Sequence, residues 1–135
     1  MTRSIVTRKP RILVVDDDAN ILSAFRDYLR MKNCRMVGVS DAELALNAIL
    51  RRGFDLIITD IRLNFQSGVT FLLRAKATRP DLPVIVITGY PDIASNDELR
   101  MYGASHILLK PLELDQLNKA VDSCLSWHDR RTLPS

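Results

Sequence analysis

Arg11 to Asp18 reads RILVVDDD: a four-residue aliphatic run, Ile12 to Val15, that ends in three consecutive acids. A short apolar run with no polar alternation is the pattern of a strand buried on both faces of a parallel sheet. Three later stretches repeat it. FDLIITD at Phe54–Asp60 ends in an acid, PVIVIT at Pro83–Thr88 ends in a hydroxyl, and HILLKP at His106–Pro111 carries a lysine at its end. Parallel strands deliver their last residues to one common edge, where sheets of this class bind ligands. Asp16, Asp17 and Asp60 therefore meet there with Lys110 and Thr88. Three carboxylates against one ammonium leave an excess of negative charge that a divalent cation would neutralise. The arithmetic points to metal-assisted phosphoryl chemistry.

Between these strands the pattern changes to helical. Ile21, Leu22, Phe25, Tyr28 and Leu29 mark one face of a helix from about Ala19 to Lys32, with Asp18 as its N-cap. Cys34–Val39 reads as a shorter second strand. Ser40 followed by Glu43 reads as a capping box opening a helix over Asp41–Arg52 that Gly53 stops. Ile61–Ser67 reads as a loop, followed by a helix from Gly68 to about Thr78. A weakly patterned helix from about Ile93 to Tyr102 follows Gly89 and Pro91. The closing helix runs from Glu113 to about Trp127, with Leu114, Leu117, Val121, Cys124 and Leu125 facing inward.

Five alternating strand–helix units predict an α/β, doubly wound five-stranded parallel sheet with helices on both faces. The flavodoxin-like order 2-1-3-4-5 places the three most apolar strands in the interior. The expected organisation is a basic arm over residues 1–10, one domain over 11–127 and a polar tail over 128–135.

The chain has 135 residues, nearly half of them apolar, and a net charge of +3. The positive charge sits at the ends: residues 12–125 hold 13 basic and 15 acidic side chains. No helix-turn-helix or zinc-finger spacing is present to offer the basic arm to nucleic acid, and the arm is expected to be solvated. Cys34 and Cys124 have no metal-ligand spacing and read as reduced core thiols. No apolar run is long enough to span a bilayer and the N-terminus lacks the apolar stretch of a signal peptide, so a cytoplasmic protein is expected.

Asp16 and Asp17 can serve one metal only if the strand ends there and the backbone turns. Magnesium suits such a set of hard oxygens beside a phosphate. Asp60, behind the wholly apolar Leu56–Ile58, is placed to act as a nucleophile on phosphorus. Lys110 and Thr88 are placed to hold the phosphoryl oxygens.

The stretches ILVVDD (Ile12–Asp17), DLIITD (Asp55–Asp60), VITG (Val86–Gly89) and GASHILLKP (Gly103–Pro111), in that order and spacing, resemble the receiver domain of two-component response regulators over about Arg11–Trp127. The resemblance implies that Asp60 accepts a phosphoryl group from a sensor histidine kinase with Mg2+ bound. It implies Asp17 and Asp60 as direct metal ligands, Asp16 acting through water, and the main-chain carbonyl of Arg62 as a further ligand. It also implies a cis Lys110–Pro111 peptide, and output through an effector, a histidine phosphotransfer protein or a homodimer using the fourth helix, fifth strand and fifth helix. Such a protein catalyses only its own phosphorylation and dephosphorylation.

Two departures stand out. The Met-Pro-Gly-like loop of the family is replaced by Leu63-Asn64-Phe65-Gln66-Ser67 before Gly68, which predicts a looser loop. The usual switch aromatic is replaced by Ile107, which leaves Tyr90 as the candidate signalling ring. The alternatives are a receiver that works without phosphorylation and a magnesium-dependent phosphohydrolase. The hydrolase lacks an acid/base carboxylate soon after Asp60, where Arg62 stands.

Overall fold

Arg11–Val15 forms β1, and the first residues beyond it begin the site. The computed structural model describes residues 8–63, 66–89 and 96–132. The elements after β1 are α1 (Ala19–Met31), β2 (Arg35–Val39), α2 (Ala42–Arg51), β3 (Leu56–Asp60), β4 (Arg62–Leu63) and β5 (Gln66–Ser67). Then come α3 (Gly68–Thr78), β6 (Val84–Thr88), α4 (Asn96–Met101), β7 (His106–Leu109) and α5 (Leu114–Thr132). The main sheet is five parallel strands in the order β2-β1-β3-β6-β7. With the small β4–β5 pair set aside, this is the flavodoxin-like 2-1-3-4-5 order.

β3 and β6 are buried at every position, which is why they carry no alternation. Alternate residues of each strand feed two apolar layers. Leu13, Val15, Ile57, Val84 and Val86 pack with α2 and α3 on one face. Ile12, Val14, Leu56, Ile58 and Ile85 pack with α1 and α5 on the other. Each interior strand thus sits between helices and can end only at the two poles of the sheet.

Several local expectations are corrected. Asp41, not Ser40, caps α2: its carboxylate accepts from the Leu44 amide at 2.8 Å. Ser40 with Glu43 has the right spacing, but a charged carboxylate one residue on reaches the same orphan amides. Residues 61–67, expected as a loop, include the antiparallel β4–β5 pair, in which Arg62 faces Ser67. Two-residue strands are too short to leave a periodic signal. α5 continues to Thr132, past the expected end at Trp127, because no glycine or proline intervenes. Leu114 does not face inward; it is 61% exposed at the first residue of α5. Asp18 caps α1 as expected, accepting from the Asn20 amide at 2.8 Å. Among the described residues, no helix is long and apolar enough to cross a membrane.

Candidate functional site

The register brings the sequence-selected residues to one pole. β1 pairs with β3, Asp60 of β3 lies opposite Ile87 of β6, and Thr88 lies opposite Leu109 of β7. Asp16 and Asp17 follow the last residue of β1, Asp60 and Thr88 end their strands, and Lys110 follows β7.

Asp60 is 7% exposed, and both of its carboxylate oxygens are engaged. The Arg62 amide donates to Oδ1 at 2.9 Å, and Lys110 Nζ donates to Oδ2 at 2.6 Å. The Thr59 hydroxyl, also buried, donates to the Asp60 main-chain carbonyl at 3.0 Å. One oxygen of Asp60 is therefore fixed by backbone and the other by a long, flexible side chain.

Asp16 is buried, and its Oδ1 accepts from the Asp18 amide at 2.9 Å. Burial is the main cause that pushes its carboxyl up to about 6, and the charges of Asp60 and Asp17 push the same way. The Asp18 amide and Lys110 only partly offset this. For Lys110, burial acts to lower the ammonium pKa, but the hydrogen bond and charge of Asp60, with Asp16 and Asp17 behind, hold it above the ordinary lysine value. The raised Lys110 value reflects the carboxylates around it, whereas the Asp16 value reflects burial first and neighbouring negative charge second.

Asp17 is exposed where β1 turns into α1. Thr88 is buried, and its carbonyl accepts from the Lys110 amide at 2.9 Å, which locks the lysine's backbone beside the threonine. Lys110–Pro111 is a cis peptide, as expected. The hairpin after Asp60 is closed by Gly68, whose amide donates to Ile61 O at 2.8 Å. A Cβ there would lie 2.4 Å from that same oxygen, so only glycine permits this approach. The base of the β4–β5 pair is thus tied, while Asn64 and Phe65, on which the expectation of a looser loop falls, lie outside the described residues. Ile107 is half-buried against the core layer containing Val86. Tyr90 lies outside the described residues.

The donor set suits a hard divalent cation: carboxylates with surplus charge and main-chain oxygens nearby. Among the described residues, no three Asp, Glu, His or Cys side chains are drawn together into a closed ligand group. The physical reason lies in the contacts. Lys110 occupies Asp60, and Asp16 is turned to the Asp18 amide. The carboxylates of Asp16, Asp17 and Asp60 fit such a cation.

Residues 12–122 match the sequence model of the response regulator receiver domain. The chain belongs to that family. The receiver is 31% identical over 115 residues to the transcriptional regulatory protein ZraR of Escherichia coli O157:H7, covering 85% of this chain and 26% of that protein. The chain thus spans about a quarter of the length of the curated relative it matches. Among solved structures it resembles a response regulator receiver protein from Pseudomonas putida (TM-score 0.80, 32% identity, covering 87% of this chain and 99% of that one). It also resembles the response regulator TrrA of Thermotoga maritima, solved in complex with Mg2+ and BeF (TM-score 0.78, 27% identity, covering 86% and 99%). Aspartate phosphorylation and magnesium dependence are general properties of receiver domains.

Two contacts escaped the sequence reading. The Thr59 hydroxyl bond was hidden because a threonine in an apolar strand reads as β-branched filler. The pairing of Arg8 with Asp55 departs from the expectation of a solvated arm, because it joins residues far apart in sequence. Asp55 itself carried a signal, since an acid at the root of a buried strand requires a partner.

Proposed function

We propose that Asp60 is the phosphoacceptor of this receiver and that a partner histidine kinase supplies the phosphoryl group from phosphohistidine. One observation carries the reading. Asp60 is a buried carboxylate at the ligand-binding pole, with one oxygen held by backbone and the other by a lysine that can follow the incoming group.

Asp17 and Asp60, with the Arg62 carbonyl and Asp16 through water, would hold Mg2+. Bound there, the metal supplies charge neutralisation for the transferring phosphoryl group. Asp60 attacks phosphorus as the bond to the histidine nitrogen breaks. Lys110 moves from the Asp60 carboxylate to a phosphoryl oxygen, and the Thr88 hydroxyl donates to another. The product carries up to about two negative charges where the carboxylate carried one.

That change draws on Lys110 and Thr88, at the ends of β7 and β6, and so biases the surface built on them. α4, β7 and α5 enclose a groove of about 400 Å³ lined by Arg100, His106, Ile107, Leu109 and Lys119. Leu109, in that lining, and Met101, in α4, are 51% and 81% exposed. This face is the proposed output surface, toward an effector, a histidine phosphotransfer protein or a second copy. Ile107, with no hydroxyl, contributes through packing, and Tyr90 is proposed as the signalling ring; Tyr90→Ala is expected to weaken partner binding.

The test is incubation with Mg2+ and acetyl phosphate followed by intact mass. One phosphate adduct, absent in Asp60→Ala, supports the reading. No adduct with any donor makes the chain an unphosphorylated interaction module, and steady phosphate release from varied esters makes it a hydrolase.

A further inference from the structure

The pole opposite the phosphoacceptor is closed by a set of contacts that the proposed function does not use. Asp55, immediately before β3, is 3% exposed. Arg8 grips it with both terminal guanidinium nitrogens, Nη1 to Oδ2 at 3.0 Å and Nη2 to Oδ1 at 3.2 Å. The Arg11 amide donates to the same Oδ2 at 2.8 Å. The neighbouring backbone is tied as well. Arg35 N donates to Pro10 O at 2.8 Å, Asp55 N to Arg11 O at 2.8 Å, and Arg11 Nη1 to Gly53 O at 3.2 Å. Residues 8–11 thereby connect β1, β2, the root of β3 and the turn after α2.

We propose that residues 8–11 form a strap across this pole, fastened by the Arg8–Asp55 fork, and that the folded unit includes Arg8. The chemistry is selective. A planar guanidinium matches a carboxylate in two parallel bonds, which a lysine cannot reproduce. Asp55 is buried, so opening the fork leaves a desolvated charge without its cation. Arg8 is half-exposed, so the fastening lies at the surface while the charge it neutralises lies inside. The buried strand fixed at its root by this fork is the one that presents Asp60 at its other end.

The test uses the full chain and local reporters. Arg11 and Arg35 donate their amides directly into the strap, so their hydrogen exchange reads whether it is closed. Arg8→Ala is expected to accelerate exchange at both amides by about tenfold or more, with mid-strand amides such as Ile57 unchanged. It is also expected to lower Tm by roughly 5 °C. Arg8→Lys keeps the charge without the fork and is expected to recover less than half of either effect. In an Asp55→Asn background, Arg8→Ala is expected to add little. Wild-type exchange at both amides in Arg8→Ala would overturn the strap. Equal Tm losses from Arg8→Ala in the wild-type and Asp55→Asn backgrounds would overturn the fork as its fastening. If Asp55→Asn does not fold, exchange in Arg8→Ala and Arg8→Lys decides alone.

Discussion

β3 has a buried carboxylate at each end, and each is paired with a half-exposed cation. Asp55 holds Arg8 at the root of the strand and Asp60 holds Lys110 at its tip. The two pairs differ in their surroundings. Asp55 also receives the Arg11 amide, and its partner is a rigid fork. Asp60 stands beside Asp16 and Asp17, its partner is a single flexible amine, and the charge balance is negative. A balanced carboxylate is structural. An unbalanced one carries a cost near neutral pH that a bound cation can offset. The contrast separates scaffold from site on one strand without reference to relatives.

The same substitution at both ends should give opposite results. Asp60→Asn removes the proposed nucleophile and is expected to abolish the phosphate adduct, while Tm without metal stays level or rises because like-charge crowding is relieved. Asp55→Asn is expected to leave adduct formation in place at temperatures where the protein is folded. It should lower stability by about 2 kcal/mol, a buried-pair loss reduced because Arg8 is half in solvent. Intact mass and urea denaturation of both variants check the comparison; a stability loss at both ends, or at neither, would break it.

Lys110→Ala removes the ammonium that pairs with Asp60 at the tip. The rate of adduct formation from acetyl phosphate is expected to fall on the order of a hundredfold, as for the loss of one preorganised donor to developing charge. A stopped time course by mass measures it.

The smallest effect expected is in pH dependence. Folding raises the Asp16 carboxyl from 3.8 to about 6, so its ionised form opposes folding. The folded state binds the proton first. Its cost is therefore relieved as pH falls through about 6 and is largely gone near the unfolded value of 3.8. In the absence of divalent cations, the contribution of Asp16 should make Tm higher at about pH 5.5 than at about pH 7, within the range set by that value of about 6. Asp16→Asn should flatten this difference, as should saturating Mg2+. Calorimetry at the two pH values, with and without magnesium, sharpens the claim that the tip is under-neutralised.

Much of this molecule is legible in the residue pattern. Leu56–Ile58 and Val84–Ile87 are continuous because both faces are covered, which placed them inside the sheet and fixed the pole to which Asp60 and Thr88 belong. Asp16, Asp17 and Lys110 follow from the same rule. The rest depends on contacts that periodicity does not encode. Asp41 takes the α2 cap from Ser40 by one residue of reach. The β4–β5 pair is held by Gly68 against Ile61, a close approach visible only in three dimensions. Arg8 meets Asp55 across 47 residues of sequence. α5 outran its expected end because polar, charged residues form helix as readily as apolar ones when nothing breaks it. Leu114 fits the inward spacing of that helix, yet it lies at the helix mouth, where no layer covers it.

The central claim is that Asp60 is the unbalanced, reactive end of β3. Its most direct test is peptide mapping of the chain after reaction with Mg2+ and acetyl phosphate. The phosphate should be found on the peptide that contains Asp60, and in Asp60→Asn on no peptide at all. A phosphate mapped to Asp16, Asp17 or Asp55, or an adduct that survives Asp60→Asn, would contradict it.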